Sequence, residues 1–188
     1  MTRSAPQTRQ RIVDAAYSLF WRNGFVRVSI DNIADRAKVT KRTVYQHFRS
    51  KDDILSAVFS HSGELAMDRL HHIGATLPRD RDAMLESLFR QLAGWAAMPR
   101  WPGSGFTRVV AELADLPGHP ARAIARTHKA TVINWLGELL AEAHVESPFE
   151  RARELALLIE GAMSLMLIHG DRSYAQIAAQ AAKRLLAT

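Results

Sequence analysis

Apolar residues recur along most of the chain at intervals of three and four, the spacing of a helix with one buried face. The first such helix runs from about Gln7 to Asn23, and its apolar stripe consists of Ile12, Ala15, Ala16, Leu19 and Phe20. Similar patterns predict further helices at about 30–37, 40–48, 51–75, 81–98, 107–114, 121–143, 148–169 and 173–187. Since no strand-like alternation of useful length separates them, the pattern predicts an all-α fold.

Polar and turn-forming residues at the predicted helix ends support these bounds. Ser29 is placed to cap the second helix, and Ser50 with Asp53 has the form of a capping box at the start of the fourth. Gly24 suits the end of the first helix, and Pro148 suits the first turn of the eighth.

Two short helices separated by a tight turn occupy the segment from Ser29 to Lys51. In the second helix, Val44 and Phe48 lie on the buried side, and basic or polar side chains lie on the other. A helix of this length fits the major groove of B-DNA, which is about 12 Å wide. The spacing is that of a helix-turn-helix, whose second helix reads bases.

The same region resembles a known family. The matching positions are Arg11-Ile12-Val13, Ala15-Ala16, Leu19-Phe20, Gly24-Phe25, Ser29-Ile30, Ile33-Ala34, Ala37, Val39-Thr40, Thr43-Val44-Tyr45, His47-Phe48, Ser50-Lys51 and Leu55. Together they resemble the amino-terminal signature of the TetR family of transcriptional regulators, over about residues 9–57. The resemblance implies a three-helix DNA-binding unit, joined by a long helix to a carboxy-terminal helical domain. We therefore expect a flexible arm (1–8), a helix-turn-helix domain (9–50) and an effector-binding and dimerisation domain (51–188).

Lys38 departs from the family pattern, because members often carry Gly at this position. A helix end of this kind commonly needs a residue in the left-handed conformation. A residue other than Gly adopts that conformation at a cost of about 1–2 kcal/mol. The departure therefore concerns the exact geometry of the turn and leaves the motif as a whole unchanged.

The charge of the chain is concentrated at its amino-terminal end. Residues 1–51 hold eleven Lys or Arg and three Asp or Glu, a net charge of +8. Residues 52–188 hold fourteen Lys or Arg and sixteen Asp or Glu, a net charge of −2. A basic region confined to one end is typical of a polyanion-binding protein, although it is also compatible with a generic solubilising surface.

Sequence-specific binding needs phosphate contacts for register and base contacts for discrimination. Thr40 begins the second helix, where the helix dipole attracts phosphate, and Lys41, Arg42, Thr43 and Gln46 point where base edges would lie. The family resemblance implies further contacts with the DNA backbone from Ser29, Tyr45, His47 and Lys51. A solvated charged face, with Tyr45 packed inward, is the alternative.

Helix 8 is apolar all round, which predicts burial on two sides. One side could face a partner, and the family resemblance implies a homodimer interface formed by the last two helices. The candidate residues are Leu155, Leu158, Ile159, Ala162, Met163, Met166, Ala178, Ala181 and Leu185. The alternative is a central core helix in a monomer.

Large apolar side chains in the middle of the chain suit a small-molecule pocket with a few polar groups. The resemblance implies an effector cavity among helices 4 to 7, with Phe89, Trp95, Met98, Phe106, Glu112, His128, Val132 and Trp135 as candidate lining residues. The alternative is that these residues simply form the core. The effector itself remains unidentified.

The sequence gives little support to other classes of protein. There is no cysteine, no HExxH, no phosphate-binding loop and no GxSxG, so we expect neither an enzyme nor a metal or cofactor site. The apolar run at 155–168 contains Glu160 and is shorter than the ~20 residues of a membrane helix. We expect a cytoplasmic, ligand-responsive repressor on a palindromic operator, and an architectural DNA-binding protein without effector is the remaining alternative.

Overall fold

The computed structural model describes residues 4–99, 101–116 and 118–187. Within these ranges the regular secondary structure is entirely helical. The helices are α1 (Ala5–Asn23), α2 (Ile30–Ala37), α3 (Lys41–His47), α4 (Lys51–Gly74), α5 (Arg81–Ala96), α6 (Gly105–Glu112), α7 (Pro120–Glu142), α8 (Pro148–His169) and α9 (Ser173–Leu185). The predicted all-α fold is confirmed.

The first helix starts earlier than its apolar pattern indicates. It begins at Ala5, and the backbone N–H of Thr8 donates to the carbonyl of Ser4 at 3.1 Å. Residues 5–8 are therefore helical, which corrects the expectation of a flexible arm over that stretch. The rest of the predicted arm, residues 1–3, lies outside the described residues.

The helices group into two compact units. The first comprises the described residues of 1–65 and 105–126, and its core includes Phe20, Ile33, Leu55, Phe59 and Phe106. It therefore contains α6 and the start of α7 in addition to the predicted DNA-binding segment. The functional boundary at residue 50 stays a prediction.

Within the first unit, α6 is attached to the end of α1 and to the connector that follows it. The backbone N–H of Val26 donates to Oε2 of Glu112 at 3.0 Å, and Nη1 of Arg108 donates to the carbonyl of Trp21 at 3.0 Å. Gly105 lies so close to Trp21 that an added Cβ would fall 2.3 Å from the indole ring. These contacts use a charged pair on α6 to satisfy backbone groups that α1 leaves open.

The second unit comprises the described residues of 66–104 and 127–188. In it α5, α8 and α9 pack on one another and on the second half of α7, around Leu85, Leu136, Leu140, Leu155 and Ala182. Met163 and Met166 of α8 form a smaller cluster with Trp95 and Trp101. Among the described residues, no helix has the length and apolarity required to cross a membrane.

We predict opposite effects for the same substitution at two helical glycines. Gly105→Ala should destabilise the first unit by about 1–3 kcal/mol, because overpacking forces a shift of neighbouring side chains. Trp21 has little room to move, since Tyr17, Phe59 and Phe106 surround its ring. Gly94→Ala, where no atom lies within 4 Å of the added Cβ, should stabilise α5 by up to about 1 kcal/mol. Urea unfolding of both variants tests this, and equal effects would contradict the close packing of α6.

Candidate nucleic-acid interface

The helix-turn-helix begins with a polar cap on α2. The backbone N–H of Asn32 donates to Oγ of Ser29 at 3.1 Å, and the backbone N–H of Ser29 donates to Oδ1 of Asn32 at 2.9 Å. This reciprocal pair confirms the predicted cap at Ser29. It also means that the Ser29 hydroxyl, which is exposed, is already engaged within its own turn.

The turn between α2 and α3 is left-handed at Lys38, with φ 53° and ψ 49°, so this lysine adopts the conformation for which family members often use Gly. The backbone N–H of Val39 donates to the carbonyl of Ala34 at 3.0 Å, and that of Lys38 donates to the carbonyl of Asp35 at 3.1 Å. These two bonds define a Schellman motif, which usually carries Gly at the left-handed position. Because Lys38 has a Cβ, the turn is strained by about 1–2 kcal/mol relative to a glycine turn.

The recognition helix α3 is short and fixed at both ends. Thr40 caps it, since Oγ1 accepts a hydrogen bond from the backbone N–H of Thr43 at 3.1 Å. Val44 and Phe48, with 0% and 2% of their surface exposed, anchor it in the core of the first unit. The side of α3 opposite these anchors is thereby held toward solvent.

The outward face and flanks of α3 carry the residues predicted to contact bases or the DNA backbone. Lys41, Arg42, Tyr45 and Gln46 are exposed, whereas Thr43 and His47 are half-buried. Arg42 and Gln46 form no side-chain hydrogen bond with any residue that the structure describes. Arginine can bind guanine and glutamine can bind adenine through paired hydrogen bonds in the major groove. The arrangement therefore suits direct base readout, although the DNA-contact roles stay predictions.

Lys41 differs from Arg42 in having an intramolecular partner. Its Nζ donates to Oδ2 of Asp31, on α2, at 3.0 Å. This hydrogen bond, together with the negative charge of Asp31, raises the pKa of Lys41 above its usual value. Both side chains are largely exposed, so solvent screens the pair and DNA can compete for the ammonium.

Lys51 is half-buried and has intramolecular partners. Its Nζ donates to the carbonyls of Phe25 and Val28 at 3.1 Å and of Val26 at 3.4 Å, and it lies 4.3 Å from the centre of the Phe25 ring. The family resemblance implies a DNA-backbone contact for this lysine. The structure instead uses its ammonium donors to hold the connector between α1 and α2.

The residues predicted to line an effector pocket fall in both units. Phe106 packs against Phe59 in the core of the first unit, and Glu112 binds the Val26 N–H there. The ligand-contact roles of both residues stay predictions. In the second unit, Phe89 and Trp135 are core residues with 1% and 6% exposure.

The other predicted pocket residues in the second unit have mixed surroundings. Met98 is exposed, Val132 packs against the core, and Trp95 contacts Trp101. Burial lowers the pKa of His128, an effect to which the neighbouring Lys129 adds and which Glu160 opposes.

A groove of about 450 Å³ lies in the second unit between α5 and α9. Its lining residues are Glu86, Phe89, Arg90, Ala93, Arg172, Ser173, Ala175, Gln176, Ala179 and Gln180. It shares only Phe89 with the predicted pocket. In the described part of the chain, no cluster of three or more His, Asp or Glu is arranged to hold a metal ion.

The predicted dimer residues fall into two groups by their burial in the single chain, and their interface roles stay predictions. Leu155, Ala162, Met163, Met166 and Ala178 are buried within the second unit. Leu158, Ile159, Ala181 and Leu185 are partly exposed. The exposed apolar positions that the prediction missed are Leu157, Leu165, Leu167 and Ile168 on α8 and Ile177 on α9. The helical spacing of Leu157, Leu165 and Ile168 could have indicated this face.

Comparison with known proteins supports the interpretation of the amino-terminal segment. Residues 12–58 match the family model described as bacterial regulatory proteins, tetR family. The HTH-type transcriptional regulator TtgW of Pseudomonas putida is 45% identical over 56 residues, which are 30% of this chain and 42% of that protein. The sequence similarity is therefore concentrated in the helix-turn-helix.

Solved structures resemble the chain over nearly its whole length. A TetR-family transcriptional regulator from Streptomyces coelicolor is 25% identical, with a TM-score of 0.83 over 96% of this chain and 95% of that one. The reduced form of NemR from Escherichia coli has a TM-score of 0.83 over 95% and 97% of the two chains, at 21% identity. At 21% identity, the likeness to NemR shows a similar fold only.

We predict that Lys51→Met lowers the stability of the first unit. The substitution keeps an aliphatic stem but leaves the partly buried carbonyls of Phe25 and Val28 without their charged donor, and a buried acceptor left unpaired costs about 1–3 kcal/mol. Lys41→Met removes the same charge at an exposed, screened pair and should change the unfolding midpoint little. Thermal and urea unfolding of both variants test the difference, and equal stability would indicate that Lys51 is not needed to hold the connector.

Proposed function

We propose that the chain is a member of the TetR family of bacterial regulatory proteins and acts as a dimeric transcriptional repressor that a small molecule releases from a palindromic operator. The match of residues 12–58 to a family of regulatory proteins favours this proposal over the catalytic alternative. The observation that carries the proposal is the outward face of α3, where exposed Arg42 and Gln46 project from a helix anchored by buried Val44 and Phe48.

The contacts on DNA follow from the surroundings of each side chain. Arg42 and Gln46 read base edges, because neither has to leave an intramolecular partner among the described residues. Thr40 and Thr43 lie at the positive end of α3, where backbone N–H groups attract phosphate. Tyr45 and His47 contact the DNA backbone from the flank, while Ser29 and Lys51 act through the cap and the connector that they hold.

Dimerisation supplies the second reading helix. One helix in one groove binds weakly, and two half-sites spaced by about 34–36 Å are the usual solution. Exposed Leu157, Leu165 and Ile168 on α8 and Ile177 on α9 offer an apolar surface on the second unit. An unpartnered apolar surface of this kind is typical of an interaction site.

The effector acts on the second unit. A ligand that binds one conformation more tightly shifts the population toward it and thereby changes operator affinity. The cytoplasm is the compartment in which such a protein meets both DNA and small metabolites. A thermal-shift screen tests this element, because a ligand that binds only the folded protein raises the melting temperature further as its free concentration increases.

We predict that Arg42→Ala weakens binding to the selected operator by about 5- to 150-fold, as expected for the loss of a paired base contact. Binding to random DNA should fall much less, because phosphate contacts remain. The control is Arg69→Ala, an exposed arginine on the second half of α4. Operators are first selected from random oligonucleotides, and affinities are then measured by gel shift at fixed salt. Equal losses on both DNAs would refute base readout, and failure to enrich any inverted repeat would favour an architectural protein.

We predict that Leu157→Glu together with Ile168→Glu converts the dimer to a monomer without unfolding it. Both side chains are exposed in the single chain, at 74% and 69%, so the charges are tolerated until a partner must bury them. Leu116→Glu, at a leucine with 55% exposure in the first unit, is the matched control. Light scattering after gel filtration measures the mass, and a variant that remains dimeric would exclude this surface as the interface.

A further inference from the structure

Arg11 of α1 binds the turn that leads into the recognition helix. Its Nη2 donates to the carbonyl of Ala37 and, at 3.3 Å, to the carbonyl of Lys38. The Schellman motif already satisfies the carbonyls of Ala34 and Asp35. Arg11 therefore serves the next open acceptors at the end of α2, which that motif leaves without a donor.

Position and charge both make this contact effective. The carboxyl end of a helix carries a partial negative charge, so a guanidinium is favoured there. Hydrogen bonds from a charged donor are shorter and stronger than those between neutral groups. Ile12 and Val13, next to Arg11 in the chain, are 0% and 1% exposed, so the arginine projects from a firmly packed stretch of α1.

We propose that Arg11 is a positioning residue for DNA recognition, which holds the left-handed turn at Lys38 and thereby sets the direction of α3. A glycine would adopt φ 53° without steric cost, whereas Lys38 needs an outside contact to keep the turn in this conformation. Arg11 supplies that contact. This inference rests on the proposed function, because the direction of α3 matters only if its face meets DNA.

The test is a double-mutant cycle in the full-length protein. Arg11→Gln, Lys38→Gly and the double variant are compared with the wild type on the selected operator and on random DNA. The control is Arg22→Gln, which removes the same charge from an exposed position at the other end of α1. Measurements at low temperature keep every variant folded, and melting curves confirm it.

Arg11→Gln should weaken operator binding by about tenfold or more, the range for loss of a charged hydrogen-bond donor, with little change on random DNA. Lys38→Gly should restore most of the lost affinity, because the relaxed turn no longer depends on Arg11. Non-additivity of this kind identifies residues that act through one element. Arg22→Gln should bind the operator as the wild type does.

Amide hydrogen exchange without DNA gives an independent readout. Arg11→Gln should accelerate exchange at Val39 and along α3, and Lys38→Gly should reverse the effect. Uniformly faster exchange through the first unit would instead indicate a general loss of stability and would overturn the proposal.

Three results of the binding assays would also overturn it: unchanged operator affinity in Arg11→Gln, no rescue by Lys38→Gly, or equal losses on both DNAs. Equal losses on both DNAs, together with a salt dependence of the binding affinity that is weaker by about one phosphate contact, would indicate that Arg11 contacts DNA directly. If the wild type selects no sequence, the proposed function fails, and hydrogen exchange alone then decides whether Arg11 holds the turn.

Discussion

The direction of α3 depends on the short turn that joins it to α2. In that turn Lys38, a residue with a Cβ, adopts the left-handed conformation that favours glycine. With only seven residues, α3 is too short to be stable alone, so its order comes from tertiary contacts. Val44 and Phe48 hold its inner side, Thr40 fixes its first turn, and Lys38 decides the angle at which it leaves α2. The position of the outward face of α3 therefore depends on the conformation of this turn.

The connector between α1 and α2 is held in a related way, by charged side chains that satisfy open backbone groups. Lys51 donates to its carbonyls, and Glu112 accepts from the N–H of Val26. Unpaired backbone groups away from water are costly, so these contacts stabilise an otherwise irregular segment. They also mean that the net charge of +8 over residues 1–51 overstates what is available to phosphate, because Lys51 and Arg11 are directed inward.

Local signals made the helix-turn-helix predictable. The Ser29 cap and the buried pair Val44 and Phe48 depend on neighbours within a few positions, and the structure confirms both. The sequence left the geometry at Lys38 open, because a lysine stands where a glycine is usual, and the structure shows it left-handed. The role of Glu112 was not predictable, because its partner Val26 lies 86 residues away in the chain. On α8 the difficulty was different. A helix with apolar residues on every side gives no periodic signal for which side packs against its own domain. The sequence therefore could not show that candidate interface residues such as Leu155 and Met166 are buried within the second unit.

The partners of the α3 side chains decide which of them can discriminate between bases. To bind DNA, Lys41 would have to exchange the Asp31 carboxylate for a DNA acceptor. Part of the free energy gained from the new contact would therefore offset the loss of the ion pair with Asp31. Arg42 and Gln46 have no such pair within the described residues, and their only competitor is water. A flexible ammonium is also a point charge, whereas the guanidinium and the amide present two groups in fixed geometry to one base edge. We therefore propose that specificity resides at positions 42 and 46, and that Lys41 contributes mainly to electrostatic attraction, which Asp31 moderates.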